Sequence, residues 1–360
     1  MTPTWAPYVA WMKDAPPARF DLRGSNLTPC DVEDLPGARE ALELHGEHEE
    51  GYEPYVAAIA RHSRVSPDRV AVANGASGAN FLVYAALLRA GDEVVVEEPV
   101  YDPLLGMARL LGARIRRFRR TFEEGFRVDP DRVAAALTPR TRLVVLTNLH
   151  NPTGVLTSEE VLEEVGVRAE AVGARVLVDE VYLETAHGRK SSPAATLSET
   201  FISTNSLTKA YGLAGIRAGW AVAEPKLAES LRRVRDVVDG NGSFPSELLA
   251  HLAFRHLDAL RERARGILEP NLDLLRGFVD SRDELEWVPP AGGSVGFPRM
   301  RDRDDASEFV ETLRKRHETG VVPGRFFEAP AHLRVALGGQ REALEEGLRR
   351  LGRALEEEGG

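Results

Sequence analysis

At 360 residues the chain exceeds what one hydrophobic core usually serves, so two domains are expected. Hydrophobic residues make up 43% and charged residues 28%, which excludes a disordered chain, and the longest apolar run (81–88) is too short to span a membrane. A net charge of −10, from 46 basic and 56 acidic residues, excludes a general nucleic-acid binder, which needs a basic surface to neutralise phosphates.

The opening MTPTWAPYVAWMKDAPP lacks the basic start and apolar stretch of a secretory signal, so a cytoplasmic location is expected. A single cysteine, Cys30, leaves no disulfide framework and no multi-cysteine metal site. His45 and His48 sit in an acidic run and read as a solvated loop rather than metal ligands. From 69 to 225 short apolar runs alternate with amphipathic stretches. Strands are expected at 69–73, 93–97, 115–119, 143–147, 176–179, 201–205 and 219–223, and helices at 79–89, 103–111, 130–137 and 158–171. The strands are rich in Val and Leu without clean alternation, as when both faces are buried. Such repeats imply a large α/β domain with a doubly wound, mostly parallel seven-stranded sheet, whose ligands sit beyond the carboxyl ends of the strands. From about 246 the texture changes: a long helical stretch (246–278), a Pro/Gly-punctuated strand segment (287–300), a helix (306–317), two short strands and a charged terminal helix from Arg341. This reads as a smaller α+β domain. The expected division is 45–245 for the large domain, and 1–44 with 246–360 for the small one.

Six motifs lie in or directly after expected strands. Asn74-Gly75-Ala76-Ser77-Gly78-Ala79 joins a strand to a helix, and its small residues let backbone N–H groups and the helix dipole approach a phosphate. Tyr101, in Glu97-Glu98-Pro99-Val100-Tyr101, offers a flat apolar wall, although alone it could be any core aromatic. Asn148-Leu149-His150-Asn151-Pro152-Thr153-Gly154 is by itself a tight turn, and His150 is given no role. Asp179 ends a buried strand in Val176-Leu177-Val178-Asp179-Glu180-Val181-Tyr182, where an unpaired carboxylate is costly. Lys209 lies at a strand end among small and apolar residues, in Ser206-Leu207-Thr208-Lys209-Ala210-Tyr211-Gly212-Leu213-Ala214-Gly215-Ile216-Arg217-Ala218-Gly219. Desolvation there lowers an amine's pKa and frees a nucleophile, which an arginine cannot become. Only five of the 46 basic residues are lysines (Lys13, Lys190, Lys209, Lys226 and Lys315). Arg334, in Ala331-His332-Leu333-Arg334-Val335-Ala336-Leu337-Gly338, sits in a short apolar strand and calls for an anionic partner.

The run from Ser206 to Gly219 resembles the pyridoxal-phosphate lysine signature of the class I/II aminotransferases, of the aspartate aminotransferase fold: Ser three before the Lys, Gly three after, and Arg eight after followed by x-Gly. The resemblance covers roughly residues 50 to 340, with six blocks in the family's order. It implies pyridoxal 5'-phosphate bound to Lys209 as a Schiff base, with Gly75, Ala76, Ser77, Ser206 and Arg217 holding the phosphate. It further implies Asp179 against the pyridine nitrogen, Tyr182 and Asn151 at the 3-oxygen, and Tyr101 stacked on the ring. Asn151 and Arg334 are implied to hold the substrate carboxylate, Arg334 through a bidentate pair. The activity implied is transfer of an amino group from an L-amino acid to a 2-keto acid by a homodimer. A lyase or synthase on the same scaffold is the alternative. A cofactor-binding regulatory module is disfavoured, because blocks beginning near residue 50 leave no room for a DNA-binding domain. One departure stands out: where the family offers a tyrosine toward the neighbouring subunit's phosphate this chain has Gly46, leaving His45 or Tyr52 as stand-ins.

Overall fold

The computed structural model describes residues 5–186 and 192–359; Lys190 lies outside them. A seven-stranded sheet comprises β1 (Val70–Asn74), β2 (Glu93–Glu98), β3 (Arg114–Arg119), β4 (Thr141–Thr147), β5 (Arg175–Asp179), β6 (Phe201–Ser206) and β7 (Ala218–Val222), in the order β1-β7-β6-β5-β4-β2-β3. Six strands run one way and only β7 runs against both neighbours. Its reversal brings the amino end of β7 to the edge where the others end: Gly219 pairs with Ser206, and Ala218 with Asn74.

Successive side chains of these strands enter opposite cores, which explains the missing alternation. Val94, Val96, Leu143, Val145 and Leu177 pack with Leu82, Val83 and Leu104 on one face. Val95, Val144, Leu146, Val176 and Val178 meet Val133, Leu162 and Val165 on the other. The glycine-rich turn expected before residue 79 is already helical, since helix Gly75–Leu87 starts directly after β1.

The expected helical stretch 246–278 divides at His256 into helices Phe244–Arg255 and Leu257–Asp280. The first packs beside Tyr55 and Trp220 against the large sheet, together with Leu35 and Ala38. The second joins helices Ser307–His317 and Arg341–Gly359 in a separate core with Leu22, Leu27, Phe309 and Val335. A three-stranded sheet orders Val295–Gly296, Leu333–Ala336 and Val322–Pro323. Residues Phe20–Asp21 pair in parallel with Thr319–Gly320, tying the amino-terminal region to this second unit. Helix Pro7–Asp14 lies against it through Tyr8, which packs on Phe297, Val322 and Phe327. Among the described residues no helix is long and apolar enough to cross a membrane, and no His/Cys/Asp/Glu group could hold a metal ion.

Candidate active site

The sheet edge gathers the first part of the site. Helix Gly75–Leu87 presents the unsatisfied N–H groups of its first turn, at Gly75, Ala76 and Ser77. Arg217, immediately before β7, reaches across this turn. A Cβ added at Gly75 would lie 2.5 Å from Arg217 Nη2, and one at Gly219 would lie 2.3 Å from the Gly75 carbonyl carbon. Gly75 also takes φ +72°, so glycine is required there for both space and backbone. Arg217 is exposed and donates only weakly to the Ala214 and Asn74 carbonyls, at 3.3 and 3.5 Å. Ser206 ends the neighbouring β6. A helix amino end, a small-residue floor and an uncommitted guanidinium form an anion cradle.

Deeper in, Asp179 closes β5 and is 5% exposed. Its Oδ2 accepts a 2.7 Å hydrogen bond from Asn80 Nδ2, and Thr204 in turn donates to Asn80 Oδ1 at 2.6 Å. Burial pushes the Asp179 carboxyl upward, while Asn80, the Val181 N–H and the nearby Lys209 charge hold it back. Lys209, three residues beyond β6, donates to Ser25 Oγ (2.8 Å) and Asn26 Oδ1 (2.7 Å). Burial lowers its pKa to about 7, aided by the positive charges of Arg334 and Arg217 and opposed by Asp179. At neutral pH much of this amine is therefore uncharged and nucleophilic. The Tyr182 hydroxyl is buried beside Ser25, Ser294 and Arg334, with no hydrogen bond of good geometry.

The loop after β4 is fixed by a buried ion pair. Arg120 Nη1 donates to Glu97 Oε2 at 2.6 Å, and Glu97 Oε1 accepts from both the N–H and the hydroxyl of Thr147. Thr147 Oγ1 then accepts from the Asn151 N–H at 2.8 Å, leaving the Asn151 side-chain oxygen buried and unpartnered. His150 is tied between Thr153 and the Pro99 carbonyl, and burial holds its pKa well below the usual value. It is a neutral structural residue.

Arg334 is 1% exposed, and sequence alone called for an anionic partner. No carboxylate pairs with it among the described residues, although the Asp102 carboxyl lies close enough to feel its charge. The guanidinium lies over the rings of Tyr8 (4.8 Å) and Phe327 (4.7 Å), and Nη2 donates to the Tyr8 hydroxyl and the Arg23 carbonyl. Nε and Nη1 are buried without partners. Aromatic faces replace a counter-ion here, and the cation keeps its demand for an anion. Tyr101 completes this wall, edge-on to Tyr8 at 6.0 Å.

The structure thus brings Gly75, Ala76, Ser77, Ser206, Arg217, Lys209, Asp179, Tyr182, Asn151, Tyr101 and Arg334 to one sheet edge and the wall above it. Residues 44–351 match the family model for aminotransferase class I and II. The chain belongs to that family. Within it, this aminotransferase is 35% identical over 302 residues to a capreomycidine synthase of Streptomyces vinaceus, covering 83% of this chain and 77% of the relative. It is 31% identical to an arginine–pyruvate transaminase of Pseudomonas aeruginosa, over 81% of this chain and 77% of that one. A solved pyridoxal-phosphate-dependent aminotransferase from Streptococcus suis superposes with a TM-score of 0.92 at 27% identity, covering 99% of both chains. Pyridoxal phosphate is the cofactor of the family, and the residues present fit it: an anion cradle, a buried carboxylate, a desolvated lysine and a buried Tyr182 hydroxyl.

Sequence reasoning missed Tyr8, Ser25, Asn26, Asn80 and the Glu97–Arg120 pair. Asn80 carried one signal, a polar residue directly before the apolar run 81–88 on a helix that had to be buried. Neither stand-in for the absent tyrosine reaches this site within one chain: His45 is exposed, and Tyr52 is wedged between Phe244 and His251.

Proposed function

We propose that this aminotransferase exchanges an amino group between an L-amino acid and a 2-keto acid, with Lys209 as the cofactor-bound and proton-moving residue. The observation that carries this reading is the placing of one amine, with its pKa lowered to about 7, between the buried carboxylate of Asp179 and the unpaired guanidinium of Arg334. Gly75, Ala76, Ser77, Ser206 and Arg217 would hold the cofactor phosphate, and Asp179, its carboxylate oriented by Asn80, would keep the pyridine nitrogen protonated. Tyr182 and Asn151 would donate to the 3-oxygen, and Tyr101 would cover the ring. When bound, pyridoxal phosphate supplies an electron-withdrawing ring that stabilises negative charge at the substrate α-carbon. Arg334 and Asn151 fix the substrate carboxylate, and the Lys209 amine takes and returns the α-proton.

The test is a half-reaction. A panel of single amino acids, headed by L-arginine because of the transaminase relative, is added to the loaded enzyme without keto acid. One stoichiometric loss of the bound-cofactor absorbance is expected, restored by pyruvate or another 2-keto acid. The capreomycidine synthase relative supports a second reading, a synthase or lyase on the same scaffold. Catalytic product formation with no keto-acid requirement would establish it.

The reading includes a cytoplasmic homodimer, and the division 45–245 against 1–44 with 246–360. Exposed Leu42, Leu44, Val237 and Val238 support the dimer. Light scattering should give twice the 39.5 kDa chain mass, and an active monomer would refute it.

A further inference from the structure

Resting on the aminotransferase reading, we infer that Tyr8 is a third carboxylate-binding residue, donating its hydroxyl hydrogen to the substrate carboxylate held by Arg334. Both two-pronged faces of the Arg334 guanidinium share Nη2, since a carboxylate is forked either by Nε with Nη2 or by Nη1 with Nη2. In this chain the two Nη2 hydrogens are already given to the Tyr8 hydroxyl and to the Arg23 carbonyl, at 3.3 Å for the latter. What remains is Nη1 and Nε, buried without partners and lying on opposite sides of the group. A carboxylate seated on Nη1 therefore lacks its second prong.

Tyr8 supplies it. Its oxygen accepts from Nη2, so its own hydrogen is free, and among the described residues it donates to no other group. A hydroxyl polarised by a cationic donor is a stronger donor itself. The phenol is also held in place rather than merely nearby. The Tyr8 N–H donates to Asp102 Oδ2 at 2.7 Å, across 94 residues, so the residue after Tyr101 anchors the first turn of helix Pro7–Asp14. The ring packs on Phe327 at 5.4 Å and on Tyr101 at 6.0 Å. The amino-terminal helix is thereby a wall of the substrate site, and the carboxylate is read by Arg334, Asn151 and Tyr8 together.

Tyr8→Phe keeps the ring and removes only the hydroxyl. Its KM for the best amino acid of the panel should rise about tenfold with kcat nearly unchanged, the loss of one hydrogen bond to a charged group. Titration calorimetry of the cofactor-loaded protein with unbranched monocarboxylates, from acetate to hexanoate, should show the same weakening without any chemistry. An unchanged KM and unchanged monocarboxylate affinity would leave Tyr8 a packing residue and overturn the inference. A lowered KM would also overturn it, showing that the phenol merely occupies the carboxylate's place. The underlying reading fails separately, if the unaltered enzyme shows no amino-acid half-reaction.

Discussion

The two halves of the site are built by opposite means. The cofactor side is assembled from residues that end strands of one sheet, so backbone hydrogen bonding fixes their positions. Gly219 is locked to both Ser206 and Gly75 by the ladder and by close contact. The carboxylate side draws on residues 8, 23, 102, 327 and 334, joined by an aromatic cluster, two hydrogen bonds to Nη2 and one carboxylate anchor. The first half is rigid because many bonds share the load. The second depends on a short amino-terminal helix and an unneutralised cation, so it is the half that a substrate can complete.

Lys209, where the two halves meet, is the most vulnerable position. Lys209→Ala should cost at least about 10^4-fold in turnover, because it removes both the nucleophile and the proton carrier. Borohydride reduction and peptide mapping of the parent enzyme should label Lys209, with Lys226→Ala and Lys315→Ala leaving the bound-cofactor absorbance intact. A label on another lysine refutes the assignment.

On the carboxylate side, Arg334→Gln should lower kcat/KM on the order of 10^2- to 10^3-fold, through the lost charge pair with the substrate. Arg334→Lys should recover little of it, since an ammonium lacks the planar group that stacks on Tyr8 and Phe327 and holds the Tyr8 hydroxyl beside a second donor. Full recovery by lysine would mean that charge, rather than geometry, reads the carboxylate. On the cofactor side, Asp179→Asn should retain bound cofactor yet lose about 10^2-fold in kcat, because an amide cannot hold the pyridine nitrogen protonated. Near-normal turnover would make Asp179 a structural cap.

Two smaller effects sharpen the contrast through pH. Lys209 must be neutral to capture the cofactor, and its pKa is lowered to about 7. Capture of pyridoxal phosphate by the cofactor-free protein, followed by absorbance, should therefore be flat above about pH 7 and fall roughly tenfold per unit below it. A decline beginning near pH 10 would mean that the amine is not desolvated. Asn80→Ala removes the donor that holds the Asp179 carboxyl down, so that carboxyl rises further. The acid limb of kcat/KM should move to higher pH, with a loss of about threefold near neutrality. An unshifted limb would show that Asn80 only packs.

Composition and pattern sufficed for the α/β class and for all seven strands of the large sheet within a residue or two, and they singled out the polar residues that the fold gathers at the sheet edge. Those signals are local: burial of both faces writes Val/Leu runs, and strand-end chemistry stays within a few residues of the strand that positions it. Arg334 was also legible, as a cation in an apolar strand that calls for an anion. What covers it was decided only by tertiary structure, which carried Tyr8 across more than three hundred residues to Arg334. The same holds for Asn80 with Asp179 and for Ser25 with Lys209. No periodicity records such pairs, because the partner of a buried polar group is chosen by how the elements pack rather than by their own spacing. The reversed direction of β7, which delivers Arg217 to the phosphate cradle, was settled at the same level: a strand's side-chain pattern reads identically in either direction.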